Sequence, residues 1–202
     1  ISHICDHQYG HLYPHLNSKL KFITVHDLVP LVFRKKLKKN PILNKYSLSK
    51  LKYFTKVLAV SENTKKDILK FTDCPETKIE VIHNHIEDFF DNSPIDKNYV
   101  LNKFNIPVNK KKILITGSIF YKNHEVSYKV LENILKTNNN IVFIHIGGNN
   151  ENNIPKNLSN KIIEIPFVER KEIPNIYKIC DILFFPSIYE GFGMPLLEAM
   201  SC

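Results

Sequence analysis

The sequence predicts an α/β protein with two domains, each built on a parallel sheet. Short apolar runs typical of buried strands alternate with helical patterns, and a long polar stretch divides the chain near its middle. The runs lack the polar alternation of half-exposed strands, so both faces of each sheet should be covered. The predicted strands are residues 22–25, 57–60, 79–82, 112–116, 141–146, 162–165 and 181–185.

Helical patterns lie between these strands. Ser61 is a good N-cap for a helix that continues to residue 71. Residues 124–136 place their apolar side chains on one stripe. Pro174 and Pro195 each stand where the first turn of a helix tolerates proline.

The polar stretch divides the predicted domains. We expect a first domain over residues 1–90, an interdomain linker over 91–111 that contains one short helix, and a second domain over 112–202. The chain begins with Ile1 and ends at Cys202 inside a predicted helix. We therefore expect a fragment, in which the first domain lacks its front and the second lacks its tail.

The net charge of +8 is concentrated in the first domain. Residues 34–56 contain nine Lys and Arg residues and no acid. Such a run fits an anionic membrane surface, nucleic acid, an acidic substrate, or a solvated helix face. It has few interleaved aromatics and no known nucleic-acid-binding motif, so no nucleic-acid partner is expected.

The cysteine and histidine spacings do not favour a metal site. The four cysteines form no CxxC pair, which indicates free thiols in a reducing compartment. Four histidines are spaced four apart, but a glycine and a proline interrupt any helix that would align them. Those histidines are His3, His7, His11 and His15. No stretch of 18 apolar residues predicts a membrane span.

The stretch most informative about function is SIYEGFGMPLLEAMSC, residues 187–202, in which seven residues separate Glu190 from Glu198. The stretch predicts a strand end, a glycine-containing loop and a helix start, which is where open α/β sheets bind ligands and where phosphate is favoured. Carboxylates fit there if they accept hydrogen bonds from hydroxyls beside the phosphates, as in a nucleotide sugar. Alternatively, Glu198 is a first-turn acid stabilised by the helix dipole, and Glu190 is an exposed loop acid.

PSIYEGFGMPLLEAMSC resembles the signature of family-4 retaining glycosyltransferases of the GT-B fold, most of all the mannosyltransferase-B-like branch. Further segments resemble the same family: FITVHDLVPL, LAVSENTKKDI with KIEVIHNHIE, and ILITGSIFYKNHEVSYKVL. The resemblance implies two Rossmann-like domains, with acceptor-side residues in 1–90 and the donor nucleotide-sugar domain in 112–202.

The resemblance also implies residue roles. Glu198 would bind the ribose hydroxyls and Glu190 the hydroxyls of the transferred sugar. Lys122 would neutralise the diphosphate, and His26 would lie near the sugar. The remaining donor-binding positions would be Gly117, Ser118, Phe192, Gly193 and Met194. The family often carries arginine where this chain has Ser118.

The expected reaction is transfer of a hexose from a nucleoside diphosphate sugar to a hydroxyl of a glycan or lipid-linked acceptor, with retention of anomeric configuration and no metal or other cofactor. The alternatives are a non-catalytic relative that binds the nucleotide sugar, and a sugar-phosphate epimerase of the same architecture. We expect a cytoplasmic protein whose basic run, from Arg34 to Lys56, contacts the inner face of an anionic membrane.

Overall fold

The computed structural model describes residues 1–37, 42–92, 95–147 and 154–202. Its contacts divide the chain into two units. The first contains Ile1–His85 and Glu190–Phe192, and the second contains Ile86–Tyr189 and Gly193–Cys202. Each unit carries a four-stranded parallel sheet, which confirms the predicted α/β class.

The first unit is a sheet with the strand order β1-β2-β3-β4. Its strands are β1 (Ser2–Ile4), β2 (Lys21–Val25), β3 (Lys56–Ala59) and β4 (Ile79–Val81). Its α-helices are α1 (Val29–Val32), α2 (Arg34–Leu37), α3 (Ile42–Ser49) and α4 (Glu62–Phe71), with 3-10 helices at His7–His15, Leu51–Tyr53 and Glu76–Lys78. Ser61 caps α4 as predicted, because its hydroxyl accepts a hydrogen bond from the Thr64 amide at 3.0 Å.

The second unit has the strand order β7-β6-β5-β8. Its strands are β5 (Lys111–Thr116), β6 (Ile141–Ile146), β7 (Ile162–Ile165) and β8 (Ile182–Leu183). Its α-helices are α5 (Phe89–Asn92), α6 (Lys97–Lys103), α7 (His124–Leu135), α8 (Ile173–Ile179) and α9 (Met194–Met200), with 3-10 helices at Phe120–Lys122, Lys156–Leu158 and Arg170–Glu172.

Both faces of the second sheet are covered, which explains why its strands lack polar alternation. In β5, Leu114 packs into one apolar cluster with α6 and α8, while Ile113 and Ile115 pack into another with α7. Each fully buried side chain of this size contributes about 1.5–3 kcal/mol to folding. The two clusters hold the carboxyl ends of the parallel strands at one edge of the sheet.

The unit boundary lies earlier than the sequence predicts. The stretch 91–111, expected to be a linker, belongs to the second unit together with the residues just before it. Phe90, Val100, Leu101 and Ile106 are buried in that unit's core. Because polar residues dominate the composition of this stretch, the sequence does not reveal these apolar side chains as core residues. They pack into the core from α5, α6 and the turn that follows α6.

The histidine stripe does not form a one-face array. His3 lies in β1, and the other three lie in a 3-10 helix, where residues four apart are not aligned. Within the described ranges, no group of three or more His, Cys, Asp or Glu residues could hold a metal ion. No helix in those ranges is both long enough and apolar enough to cross a membrane.

The segment Glu190–Phe192 packs within the first unit. The Glu190 carbonyl accepts a hydrogen bond from Asn63 Nδ2 at 3.0 Å, and the Gly191 carbonyl accepts from the Ser61 and Thr64 hydroxyls. A Cβ on Gly191 would stand 1.9 Å from the His26 carbonyl oxygen, so this glycine is required for space.

We expect Gly191→Ala to lower the melting temperature more than Gly193→Ala. The clash at Gly191 is with backbone and costs about 1–3 kcal/mol or more. Gly193 has φ +94°, but a Cβ there would stand at an ordinary contact distance of 3.7 Å from Leu196 Cδ1, so alanine meets only conformational strain of about 1–2 kcal/mol. Thermal unfolding followed by circular dichroism compares the two. Equal melting of Gly191→Ala and the unsubstituted protein would contradict the close approach.

Candidate functional site

A cavity of about 230 Å³ opens in the second unit at the carboxyl ends of its strands. This is the edge where open α/β sheets bind ligands. Its lining comes from the ends of β5, β6 and β7 and from α8 and α9. The lining residues are Thr116, Gly117, Ile146, Gly147, Pro166, Phe167, Val168, Ile173, Tyr177, Pro195 and Glu198. Most of this surface is apolar or glycine backbone, and Glu198 is its charged member.

Glu198 is buried, with 6% of the residue exposed, and both of its carboxylate oxygens are hydrogen-bonded. Arg170 Nη1 donates to Oε1 at 2.5 Å, and the Tyr177 hydroxyl donates to Oε2 at 2.8 Å. Burial, followed by the neighbouring Glu198 charge, raises the pKa of Tyr177, so the hydroxyl stays a donor. A buried carboxylate needs such partners, because an unpaired one would be strongly destabilising.

Arg170 is itself held from several sides. Its Nε and Nη2 donate to Glu87 Oε2 at 2.8 and 2.7 Å, and its guanidinium carbon lies 4.8 Å from the centroid of the Phe90 ring. Burial lowers the pKa of Arg170, but the hydrogen bonds to Glu198 and Glu87 outweigh burial and leave the pKa raised. The guanidinium is therefore a fixed cation beside the cavity.

Gly117 forms the turn after β5 with φ +76°, a conformation that favours glycine. A Cβ there would meet the Lys122 stem, 3.1 Å from Cε and 3.2 Å from Cγ. The lysine stem therefore covers Gly117, and its ammonium lies 4.9 Å from the centroid of the Phe185 ring. Lys122 ends a 3-10 turn, and α7 begins at His124 after a left-handed Asn123.

Helix α9 begins at Met194, with Gly193 as its N-cap at φ +94°. Glu198 is the fifth residue of this helix, so the alternative in which it is a first-turn acid stabilised by the dipole is wrong. Pairing with Arg170 and Tyr177 explains its burial instead.

Other predicted residues lie in the first unit. His26 is exposed and its Nε2 donates to the Cys5 carbonyl at 2.8 Å. The Glu190 side chain is partly buried. The Phe192 ring lies 5.7 Å from the His83 ring, centroid to centroid.

The structure thus brings part of the predicted set together within the second unit. Gly117 and Glu198 line one cavity, and Lys122 covers Gly117. Ser118 and Met194 are outside its lining. Sequence reasoning missed Arg170 and Tyr177. A signal for Arg170 is that it stands directly after a predicted strand and its short loop, at the ligand-binding edge.

Known proteins resemble this chain in sequence and in fold. The profile of the family described as Glycosyl transferases group 1 matches residues 96–202, more than half of the chain. An uncharacterized glycosyltransferase of Methanocaldococcus jannaschii is 26% identical over 154 residues, covering 72% of this chain and 40% of that protein. The serotype-specific mannosyltransferase WbdA of Escherichia coli is 26% identical over 200 residues, covering 88% of this chain and 24% of that protein.

A shorter match is stronger in identity: the O-antigen chain mannosyltransferase B of Escherichia coli is 47% identical over 36 residues, 18% of this chain and 9% of that protein. The chain therefore spans less than half the length of the curated relatives it matches.

Solved structures share the fold. Anabaena HepE in complex with UDP-glucose superposes with a TM-score of 0.73 at 18% identity, over 96% of this chain and 54% of that one. Sucrose-phosphate synthase from Thermosynechococcus elongatus gives a TM-score of 0.78 at 14% identity, over 99% and 53%. These likenesses show the GT-B fold. The profile match over residues 96–202 decides against the epimerase alternative: the chain belongs to the glycosyl transferases group 1 family.

Proposed function

We propose that this glycosyltransferase moves a hexose from a nucleoside diphosphate sugar to a hydroxyl of a glycan or lipid-linked acceptor, with retention of anomeric configuration. The observation that carries the proposal is the buried Glu198 carboxylate, held by Arg170 and Tyr177 in a largely apolar cavity at the carboxyl edge of the second sheet. HepE, a neighbour in fold, binds UDP-glucose, and relatives in sequence are named mannosyltransferases.

Glu198 suits recognition of a diol such as that of ribose. Each carboxylate oxygen accepts about two hydrogen bonds, and each already takes one from the protein. One acceptor position therefore remains on each oxygen for a hydroxyl. The apolar lining around Ile146, Phe167 and Val168 suits the base.

Lys122 suits the leaving diphosphate. Cleavage of a sugar–phosphate bond builds negative charge on the leaving oxygen, and a cation fixed nearby stabilises the transition state more than the ground state. The lysine stem is held over the Gly117 turn, which fixes its position. We propose that Lys122 takes the place of a metal ion, with the amides of Phe192, Gly193 and Met194 as further donors.

His26 and Glu190 complete the proposal on the first unit. Because His26 Nε2 donates to the Cys5 carbonyl, Nδ1 is the ring atom left for a sugar hydroxyl. Glu190 would accept hydrogen bonds from the transferred hexose. We propose no covalent nucleophile: the leaving phosphate takes the acceptor proton on the same face, which gives retention.

Glu198→Gln should weaken nucleotide binding by about tenfold or more, because a hydrogen bond to a charged acceptor contributes about 1.5–3 kcal/mol. Calorimetric titration with UDP, GDP and ADP measures this, with Glu125→Gln on the exposed face of α7 as control. Equal affinity in both variants would remove Glu198 from the site. Binding without sugar transfer to any glycan acceptor would favour the non-catalytic alternative, and inverted product stereochemistry by NMR would contradict retention.

Arg170→Ala should lower the free energy of unfolding by about 1–3 kcal/mol, since it leaves a buried carboxylate with one partner and the arginine itself is 44% exposed. In a Glu198→Gln background the same change should cost less, because the carboxylate charge is already gone. Urea denaturation of the unsubstituted protein, the two single variants and the double variant measures the coupling between Arg170 and Glu198. Lys171→Ala, an exposed neighbour, is the control. Additive effects would mean that the pair is not coupled.

The basic run at residues 34–56 should bind anionic vesicles at low salt. Residues 38–41 of the run lie outside the described ranges; in the described part, Lys50 lies over the Tyr46 ring at 4.5 Å and over the exposed Tyr53 ring at 5.7 Å. Each lysine contributes about 1 kcal/mol near such a surface. Lys50→Glu with Lys52→Glu should therefore abolish co-sedimentation with phosphatidylglycerol vesicles, while Lys171→Glu should not. If co-sedimentation stays the same at high salt and in the charge-reversed variant, the membrane contact is refuted.

A further inference from the structure

A buried polar cluster lies directly beneath the Gly117 turn, and the proposed function does not use it. His145 is fully buried in β6 and stands opposite Glu164 of β7 in the parallel register. Its Nδ1 lies 2.6 Å from Glu164 Oε1, and its Nε2 lies 2.5 Å from the Gly117 carbonyl oxygen. His124, the first residue of α7, places its own Nε2 2.6 Å from the same carbonyl.

The distances around the His145 ring determine where its protons lie. Both ring nitrogens of His145 face oxygen atoms, and the carbonyl oxygen can only accept. Nε2 must therefore carry a hydrogen, and a further proton must lie between Nδ1 and the Glu164 carboxylate. The pair therefore shares one proton in a buried His–Glu hydrogen bond, with side chains 0% and 10% exposed. A pair so enclosed specifies geometry more than it adds stability.

His124, the third member of the cluster, stays neutral beside this pair. Burial, and then the neighbouring His145, lowers the pKa of His124. The neutral ring donates from Nε2 to Gly117, while its buried Nδ1 has no hydrogen-bond partner among the described residues. The two imidazole rings lie 4.6 Å apart, centroid to centroid, so two donors converge on one carbonyl.

We propose that Glu164, His145 and His124 form a positioning unit that orients the Gly117–Ser118 peptide so that the Ser118 N–H binds the donor's diphosphate. This inference rests on the proposed function. A trans peptide is planar, with its N–H antiparallel to its C=O. A carbonyl held by two imidazoles therefore turns the Ser118 N–H away from them. A backbone donor there would serve the diphosphate at the position where the family resemblance leads one to expect arginine and this chain has Ser118.

The protonation pattern is tested first, without any donor. Two-dimensional ¹H–¹⁵N spectra of the histidine side chains at pH 7 should show protonated Nε2 on both His145 and His124. His145→Gln and His124→Gln assign the signals by their loss. A bare Nε2 on either ring would overturn the proposal, because such a nitrogen cannot donate to the Gly117 carbonyl.

Nucleotide binding is tested second, by calorimetric titration with the diphosphates and monophosphates of uridine, guanosine and adenosine. His145→Phe removes both ring donors. We expect it to weaken the diphosphate by about tenfold and to leave the monophosphate of the same base unchanged. Glu164→Gln, a milder change that keeps the side-chain shape, should also raise the ratio of the diphosphate Kd to the monophosphate Kd. Phe143→Leu, in the core on the same strand, is the control that lowers stability without changing the ratio.

The outcomes distinguish a failure of the positioning role from a failure of the proposed function. Equal weakening of diphosphate and monophosphate would show a merely structural cluster and overturn the positioning role. If the unsubstituted protein binds none of these nucleotides, the proposed function fails and the diphosphate role falls with it. The histidine spectra would then still decide whether the cluster holds the Gly117 carbonyl.

Discussion

A carboxylate buried in an apolar cavity must be paired, and the second unit is arranged around that requirement at Glu198. Arg170 comes from the 3-10 helix after β7, Tyr177 from α8, Glu87 from the residues before α5, and Phe90 from α5 itself. Three parts of the chain far apart in sequence, residues 87–90, 170–177 and 198, therefore converge on one charge. Removing a partner of Glu198 leaves a buried carboxylate with one hydrogen bond fewer, so the pairing and the shape of the cavity depend on each other.

The sequence is informative where a local pattern carries the signal. Unbroken apolar runs predict seven of the eight described strands, all except β1, and Ser61 predicts the start of α4, because these features depend on neighbours in sequence. The partners of Glu198 could not be predicted in this way. Arg170 stands in a charged loop where it looks like any solvated residue, and only the packing of α8 against α9 brings Tyr177 to the same carboxylate.

Two further features that the sequence does not predict have the same physical origin. Residues 91–111 read as a linker because polar side chains dominate their composition, yet Val100, Leu101 and Ile106 fill the second core. His145 is the polar residue of an otherwise apolar strand, which is a local hint, but its pairing with Glu164 follows from strand register that composition does not encode. Long-range register and helix docking are decided by the whole unit.

The family resemblance leads one to expect arginine where this chain has Ser118, and the proposed positioning unit would let the site work without that charge. An arginine must lose considerable side-chain entropy to hold one geometry. A peptide N–H held in place by buried hydrogen bonds has already met its ordering cost during folding, and a preorganised dipole needs no reorganisation as charge develops. Lys122 would then supply the net positive charge and the backbone the direction. Such a division places the positive charge on a stem held over Gly117, and it leaves the cavity to Glu198.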